Sequence, residues 1–201
     1  MHLKVECLEM KLVINKSVTE EELIKGCLNL DPTAQKQLYE KYSAKMFGVC
    51  LRYVKDYSEA EDVLVTAFMK VFDRLAQYKG QGSFEGWIRR VTINEALTFL
   101  RKNRYMYLEV EIEKVDKEPE FQKLENELEV EDLLNMVKRL PEGYRTVFNL
   151  YAIEGYTHRE IAKKLEINVN TSKSQLSRAR KLLQKYLVES EMYYNEKTVE
   201  Q

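Results

Sequence analysis

The chain has 201 residues, 44% of them hydrophobic, enough for one large or two small packed domains. Its formal charge of −1 hides a segregation: residues 106–135 carry eleven acidic and three basic side chains, residues 156–187 eight basic and two acidic. A neutral total is therefore compatible with nucleic-acid binding, because local patches govern association more than sums do. Cys7, Cys27 and Cys50 are an odd number without a CxxC pair, and His2 and His158 are the only histidines. No zinc site, disulfide framework, metal or cofactor is expected from that set. No apolar run approaches the length of about 18 residues that marks a membrane span, and no signal-peptide pattern is present, so a cytoplasmic protein without membrane insertion is expected. Three prolines, seven glycines and little β-type alternation point to an all-α chain.

Residues 1–19 read as an N-terminal extension with little periodicity, in which Met10 offers an alternative start. Thr19-x-x-Glu22 is a capping box, and Asp31-Pro32 is an N-cap followed by proline at the first helical position. The helix from there to about Val54 buries Ala34, Leu38, Tyr42, Met46 and Cys50. Ser58-x-x-Glu61 is expected to cap a third helix, with Ala60, Val63, Leu64, Ala67, Val71 and Leu75 inward. Lys79-Gly-Gln-Gly-Ser83 is a loop with two glycines. Ser83 then caps a fourth helix through about Arg104, built on Trp87, Ile88, Val91, Ala96 and Leu100. Arg101, Lys102 and Arg104 suit the end of that helix. Arg89 and Arg90 near its start oppose the dipole and point to an anionic partner.

Residues 106–127 lose amphipathic order, gain carboxylates and include Pro119, the pattern of an acidic linker. A second domain spans 128–188, and a polar tail that should fray spans 189–201. In it, Leu133, Val137 and Leu140 form a helix ending at Pro141, and Glu142 to Ile153 packs Val147, Phe148 and Tyr151. Thr157-x-x-Glu160 is another capping box, opening a helix with Ile161, Ala162 and Leu165 inward. Glu166-Ile167 breaks it, and Asn168 caps a helix from Val169 to about Leu187. At 100° per residue, Val169, Ser172, Leu176, Ala179, Leu183, Tyr186 and Leu187 fall on one side. Asn170, Lys173, Ser174, Ser177, Arg178 and Lys181 fall on the other. Residues 168–187 hold five positive charges and no negative one. Two helices joined by a short turn, the second cationic on its free face, form a helix-turn-helix with its recognition helix.

Three stretches carry a further resemblance, in this order: 58–73, 80–103, and 140–165 followed by 171–185. Over residues 20–187 the chain resembles the extracytoplasmic-function group of the sigma-70 family of bacterial RNA polymerase sigma factors. The resemblance implies a subunit that directs RNA polymerase to promoters and aids their melting, with no catalytic site of its own. Residues 20–105 would dock on the β′ clamp helices and read the −10 element. Residues 128–188 would read the −35 element and contact the β flap, with the acidic linker in the RNA exit path. An anti-sigma factor is the implied inhibitory partner.

Carried over residue by residue, Asp62, Val65, Thr66 and Met69 occupy the polymerase-docking surface. An amide–carboxylate pair is usual in the family where Val65-Thr66 stands. Gln81 and Ser83 offer hydrogen-bonding groups to a base held out of the stack, and Phe84 or Trp87 an aromatic surface, Trp87 being also a core candidate one turn above Val91. Arg89, Arg90 and Asn94 match strand-contacting positions. Lys173, Ser174, Ser177 and Arg178 match major-groove positions, while Arg180, Lys181, Arg159 and Lys163 suit phosphates. Glu166 stands where the family turn has glycine, so either an unfavourable φ or a different turn is expected there. The alternatives are a helix-turn-helix DNA-binding regulator that has lost polymerase docking, motivated by Val65-Thr66, and an adaptor using the first domain for protein contacts. An enzyme is disfavoured: the chain has no phosphate loop and no His–carboxylate or nucleophile constellation.

Overall fold

The computed structural model describes residues 18–103 and 130–199, and every element in them is helical. Residues 1–17, 104–129 and 200–201, with the expectations that fall on them, lie outside the described residues. The first unit comprises α1 (Glu20–Leu28), α2 (Pro32–Tyr53), α3 (Tyr57–Asp73), a 3-10 turn (Leu75–Gln77) and α4 (Phe84–Asn103). The second comprises α5 (Val130–Arg139), α6 (Glu142–Phe148), a π-helical turn (Asn149–Ile153), α7 (His158–Leu165) and α8 (Val169–Val199).

The starts of these helices follow from single side chains. Thr19 Oγ1 accepts from Glu22 N while Glu22 returns a bond to Thr19 N at 2.8 Å, closing the capping box of α1. Asp31 accepts from Thr33 N, and Pro32 begins α2. Asp56, not Ser58, caps α3, its carboxylate 3.0 Å from Glu59 N. Both residues precede a usable first turn; the carboxylate two positions earlier takes the orphan amide and adds a turn's start to the helix.

α2, α3 and α4 pack on one another around Leu38, Met46, Cys50, Ala60, Val71, Ile88 and Ala96, all fully buried. Burial pushes the Cys50 thiol up to about 12, so it is an inert core group. In the second unit α8 packs along α6 and α7 through Leu176 and Ala179. α8 runs helical to Val199 and not only to Leu187, so the polar tail adds to the helix instead of fraying beside it.

The two units are packed together in one body. Leu150, Val147, Ile161 and Leu176 of the second join the same apolar cluster as the first. Polar bonds lie over that contact. Arg145 Nη2 donates to Tyr53 O at 2.9 Å, and Asn149 Nδ2 to Arg52 O at 2.7 Å. Glu154, its side chain 6% exposed, accepts from Arg89 through both oxygens at 2.7 and 2.8 Å and lies 3.2 Å from Arg52. The π turn sets this up: widening the last turn of α6 places Asn149 inward and directs Glu154 at α2 and α4.

Candidate nucleic-acid interface

Thr157 accepts from Glu160 N, and Glu160 accepts from Thr157 N at 2.8 Å, so both members of the expected capping box form at α7. Thr157 holds the Glu160 carboxyl below its usual range through these bonds. Glu166 ends α7 with φ 56°, ψ 41°, so of the two alternatives the chain keeps the turn and takes the left-handed conformation, and its carboxylate pairs with Arg101 at 3.1 Å. Asn168 then caps α8, its Oδ1 2.8 Å from Asn170 N.

This turn sets α8 with Ser172, Leu176 and Ala179 inward and Lys173, Ser174, Ser177 and Arg178 outward, all four exposed. Neither Lys173, Arg178 nor Arg180 is paired with a carboxylate among the described residues; Arg178 Nη1 lies 3.4 Å from the Tyr144 hydroxyl, and the Arg180 guanidinium lies 5.7 Å from the Tyr151 ring. Arg159 and Lys163 are exposed on α7. A helix face that is cationic, exposed and free of carboxylates has a phosphate backbone as its natural complement.

In the first unit, Gly80 (φ 70°) and Gly82 (φ 83°) let the loop before α4 turn, and Tyr78 OH donates to Gly82 O at 2.9 Å. Gln81 and Ser83 are exposed, with Ser83 Oγ accepting from Gly86 N at 3.1 Å. Phe84 is different from the expectation: it is 1% exposed, wedged between Tyr42, Tyr78 and Trp87. The first residue of α4 is the one that anchors the loop to the core, so its ring has no free face in this conformation. Trp87, stacked on Phe84 at 5.8 Å and only half-buried, is the aromatic surface available beside the loop. Arg90 and Asn94 are exposed, and Lys164 Nζ donates to Asn94 Oδ1 at 2.9 Å. Arg89 is bound to Glu154, whereas Arg90 makes its hydrogen bond within α4, Nε to Gly86 O at 3.4 Å. Asp62, Val65, Thr66 and Met69 line one exposed face of α3, with Val65 52% and Met69 67% exposed.

Residues 38–105 match the sigma-70 region 2 family, and residues 131–183 match sigma-70 region 4. The RNA polymerase sigma-H factor of Pseudomonas aeruginosa is 30% identical over 181 residues, covering 84% of this chain and 93% of that one. The ECF RNA polymerase sigma-E factor of Haemophilus influenzae is 25% identical over 182 residues, covering 84% and 95%.

The chain belongs to the extracytoplasmic-function group of sigma-70 factors.

It is a promoter-directing sigma factor. Among solved structures, the sigma factor RpoE in complex with the anti-sigma factor NepR from Bartonella quintana is similar, with a TM-score of 0.47, 22% identity, and coverage of 76% of this chain and 95% of that one. No helix among the described residues is long and apolar enough to cross a membrane.

Three features of this sigma factor escape a reading of the sequence. Glu154 gave no local signal, because its partners lie far away in the chain on α2 and α4. Ser172, inward on α8 as its wheel position required, uses its hydroxyl to bond His158 Nδ1 at 2.9 Å. Leu133 and Leu134 of α5 are not core residues; 43% and 40% exposed, they line a groove of about 290 Å3 with Phe148, Ile153 and Leu187. The strong amphipathic stripe on α5 signals that groove, but nothing in the pattern distinguishes a groove wall from a core.

Proposed function

We propose that this sigma factor holds promoter DNA at two places and core RNA polymerase at two others, the division falling between residues 20–105 and 128–188. α8 reads the −35 duplex: Lys173 and Arg178 donate to guanine edges or phosphates, Ser174 and Ser177 accept or donate, and Arg180, Lys181, Arg159 and Lys163 hold phosphates. The observation that carries this reading is the exposed α8 face on which Lys173 and Arg178 stand without carboxylate partners among the described residues. Gln81 and Ser83, with Trp87 in the place expected of Phe84, take an unstacked base of the −10 element, and Arg90 holds the adjoining strand. Arg89 and Asn94 serve that strand once the second domain has moved away from α4.

The exposed face of α3 docks on the β′ clamp helices. Val65 and Met69 contribute apolar contact there, with Asp62 and Thr66 as polar rim. The groove between α5 and α8 takes the β flap. An anti-sigma factor is the expected inhibitor, since covering these same exposed surfaces would block both polymerase and promoter. Footprinting of the reconstituted holoenzyme tests the assignment of α8. Arg178→Ala should lose upstream protection while core polymerase is still bound; loss of both together would show that Arg178 supports the fold instead.

A further inference from the structure

We infer that His158 is a phosphate-contacting residue of this sigma factor, aimed by Ser172, and that duplex binding through α7 and α8 takes up a proton on its imidazole. The inference rests on the reading of α8 as the duplex-binding helix.

The imidazole is held from two sides. Its Nδ1 lies 2.9 Å from the hydroxyl of Ser172, which is fully buried on α8. Its ring stacks on Tyr151 of the π turn, centroids 4.6 Å apart and planes 24° from parallel. The surroundings are cationic: Arg180 lies over the same Tyr151 ring, and Lys173 of α8 acts on the imidazole as a like charge. Nε2 makes no hydrogen bond among the described residues. The carboxylate nearest in sequence, Glu160, is engaged by Thr157.

His158, Lys173 and Arg180 are thus coupled by charge, and none of the three is paired with a carboxylate among the described residues. In the free protein burial, then Lys173 and Arg180, hold the imidazole below its usual range, so it is neutral at ordinary pH. A group that completes the set must bring negative charge and accept several N–H bonds, the chemistry of a phosphate diester. Lys173 decides between duplex DNA and a free anion: it belongs to this cluster and also to the exposed face of α8. A phosphate beside His158 is therefore one at the edge of the groove that α8 enters. Its charge opposes the two cations and favours the imidazolium.

Ser172 is suited to both protonation states. A hydroxyl donates to the neutral ring's Nδ1 and accepts from Nδ1–H of the imidazolium, so the ring keeps its orientation as it charges. Nε2–H is then left to donate to the phosphate. If affinity depends on this proton, it falls as pH rises through the imidazole range.

The test uses the full-length chain with His2→Gln in every variant, so that His158 is the only histidine. Phosphate contacts are independent of sequence, so the probe is a mixed-sequence duplex of about 20 base pairs at about 50 mM salt. Anisotropy should show wild-type affinity falling roughly three- to tenfold from about pH 5.5 to about pH 8, within the limit of tenfold per unit for one proton. His158→Gln should flatten that dependence at the weaker affinity, and NMR should show the imidazole titration of the wild type moving to higher pH when the duplex is added. Arg178→Ala should weaken binding at every pH with the slope retained. An unchanged slope in His158→Gln, or an imidazole titration indifferent to DNA, overturns the role of His158 alone. Absence of salt-dependent duplex binding, or wild-type affinity in Arg178→Ala, overturns the reading of α8 and this inference with it. The NMR titration needs no variant at position 158, so a misfolded His158→Gln leaves the inference open to refutation.

Discussion

Arg89 closes a two-point ion pair on Glu154, 65 residues away, with Nε 2.7 Å from one carboxylate oxygen and Nη2 2.8 Å from the other. The pair joins the helix assigned to the −10 element to the segment leading into the helix-turn-helix. The surrounding contact is polar and imperfect: Tyr53 OH, Thr146 Oγ1 and Asn149 Oδ1 are buried without a hydrogen-bond partner. Each such atom costs about 1–3 kcal/mol, which offsets part of what the shared apolar cluster and the bonds of Arg89, Arg145 and Asn149 contribute. A contact of that kind suits two domains that, on the reading proposed above, part to serve two promoter elements.

Glu154→Gln should therefore open the molecule. Removing the carboxylate leaves Arg52 and Arg89 facing each other without compensation, a loss of about 3 kcal/mol from the interdomain contact. Small-angle scattering should report a larger radius of gyration, with helix content unchanged. A scattering curve identical to the wild type would show that the apolar cluster, not Glu154, holds the domains.

Glu166→Gly should stabilise the second domain slightly. A left-handed residue other than glycine costs about 1–2 kcal/mol, whereas the exposed Arg101–Glu166 pair that is lost contributes about 0–1 kcal/mol. Glycine's larger unfolded-state entropy offsets part of the gain, leaving about 0.5 kcal/mol net. Denaturant unfolding decides the sign, and a destabilised variant would assign the larger share to the ion pair.

Thr157→Ala should destabilise the helix-turn-helix by about 1 kcal/mol, the usual value of an N-cap. The carboxylate half of that box adds a pH dependence. Its folded value lies below the ordinary one, so its contribution is complete above the unfolded value and declines as pH falls through the folded value. Unfolding midpoints measured across the acid range should fall less steeply in Thr157→Ala than in the wild type.

His158 supplies a second pH dependence in the absence of DNA. Its folded value is lowered by burial, Lys173 and Arg180, so the unfolded chain binds the proton more readily. Stability is thus complete above the unfolded imidazole value and is lost as pH falls through the lowered one. Thermal unfolding of His158→Gln should lack that component, which sets in as pH falls below the unfolded imidazole value of about 6.5.

The residues that local chemistry places were legible in the sequence. Thr19, Asp31, Thr157 and Asn168 cap helices because each meets an orphan amide two or three positions away, and Glu166 betrays its left-handed backbone by standing in the turn. The inward stripe of α2 and the exposed face of α8 follow from helical period alone. Asp56, two positions before the expected Ser58, caps α3 because its carboxylate reaches Glu59 N at 3.0 Å. Phe84 went unread as a core residue because a first-turn aromatic beside a glycine loop can face either way until Tyr42 and Tyr78 are positioned. The bonds from Arg145, Asn149 and Glu154 to α2 and α4 join residues 65 to 97 apart, and no periodicity carries that information.

Docking on the polymerase is the claim on which the rest depends, and the α3 face gives it a direct measurement. Purified full-length chain is titrated against core RNA polymerase at near-physiological salt, beside Met69→Ala and the double variant Val65→Gln/Thr66→Glu. Wild-type binding with a Kd below about 1 µM, weakened by roughly 1–2 kcal/mol in Met69→Ala, is the predicted result. Negligible wild-type binding that the double variant restores would contradict it and leave a DNA-binding regulator whose docking face has been lost. No binding by any folded form would contradict the promoter-directing role itself.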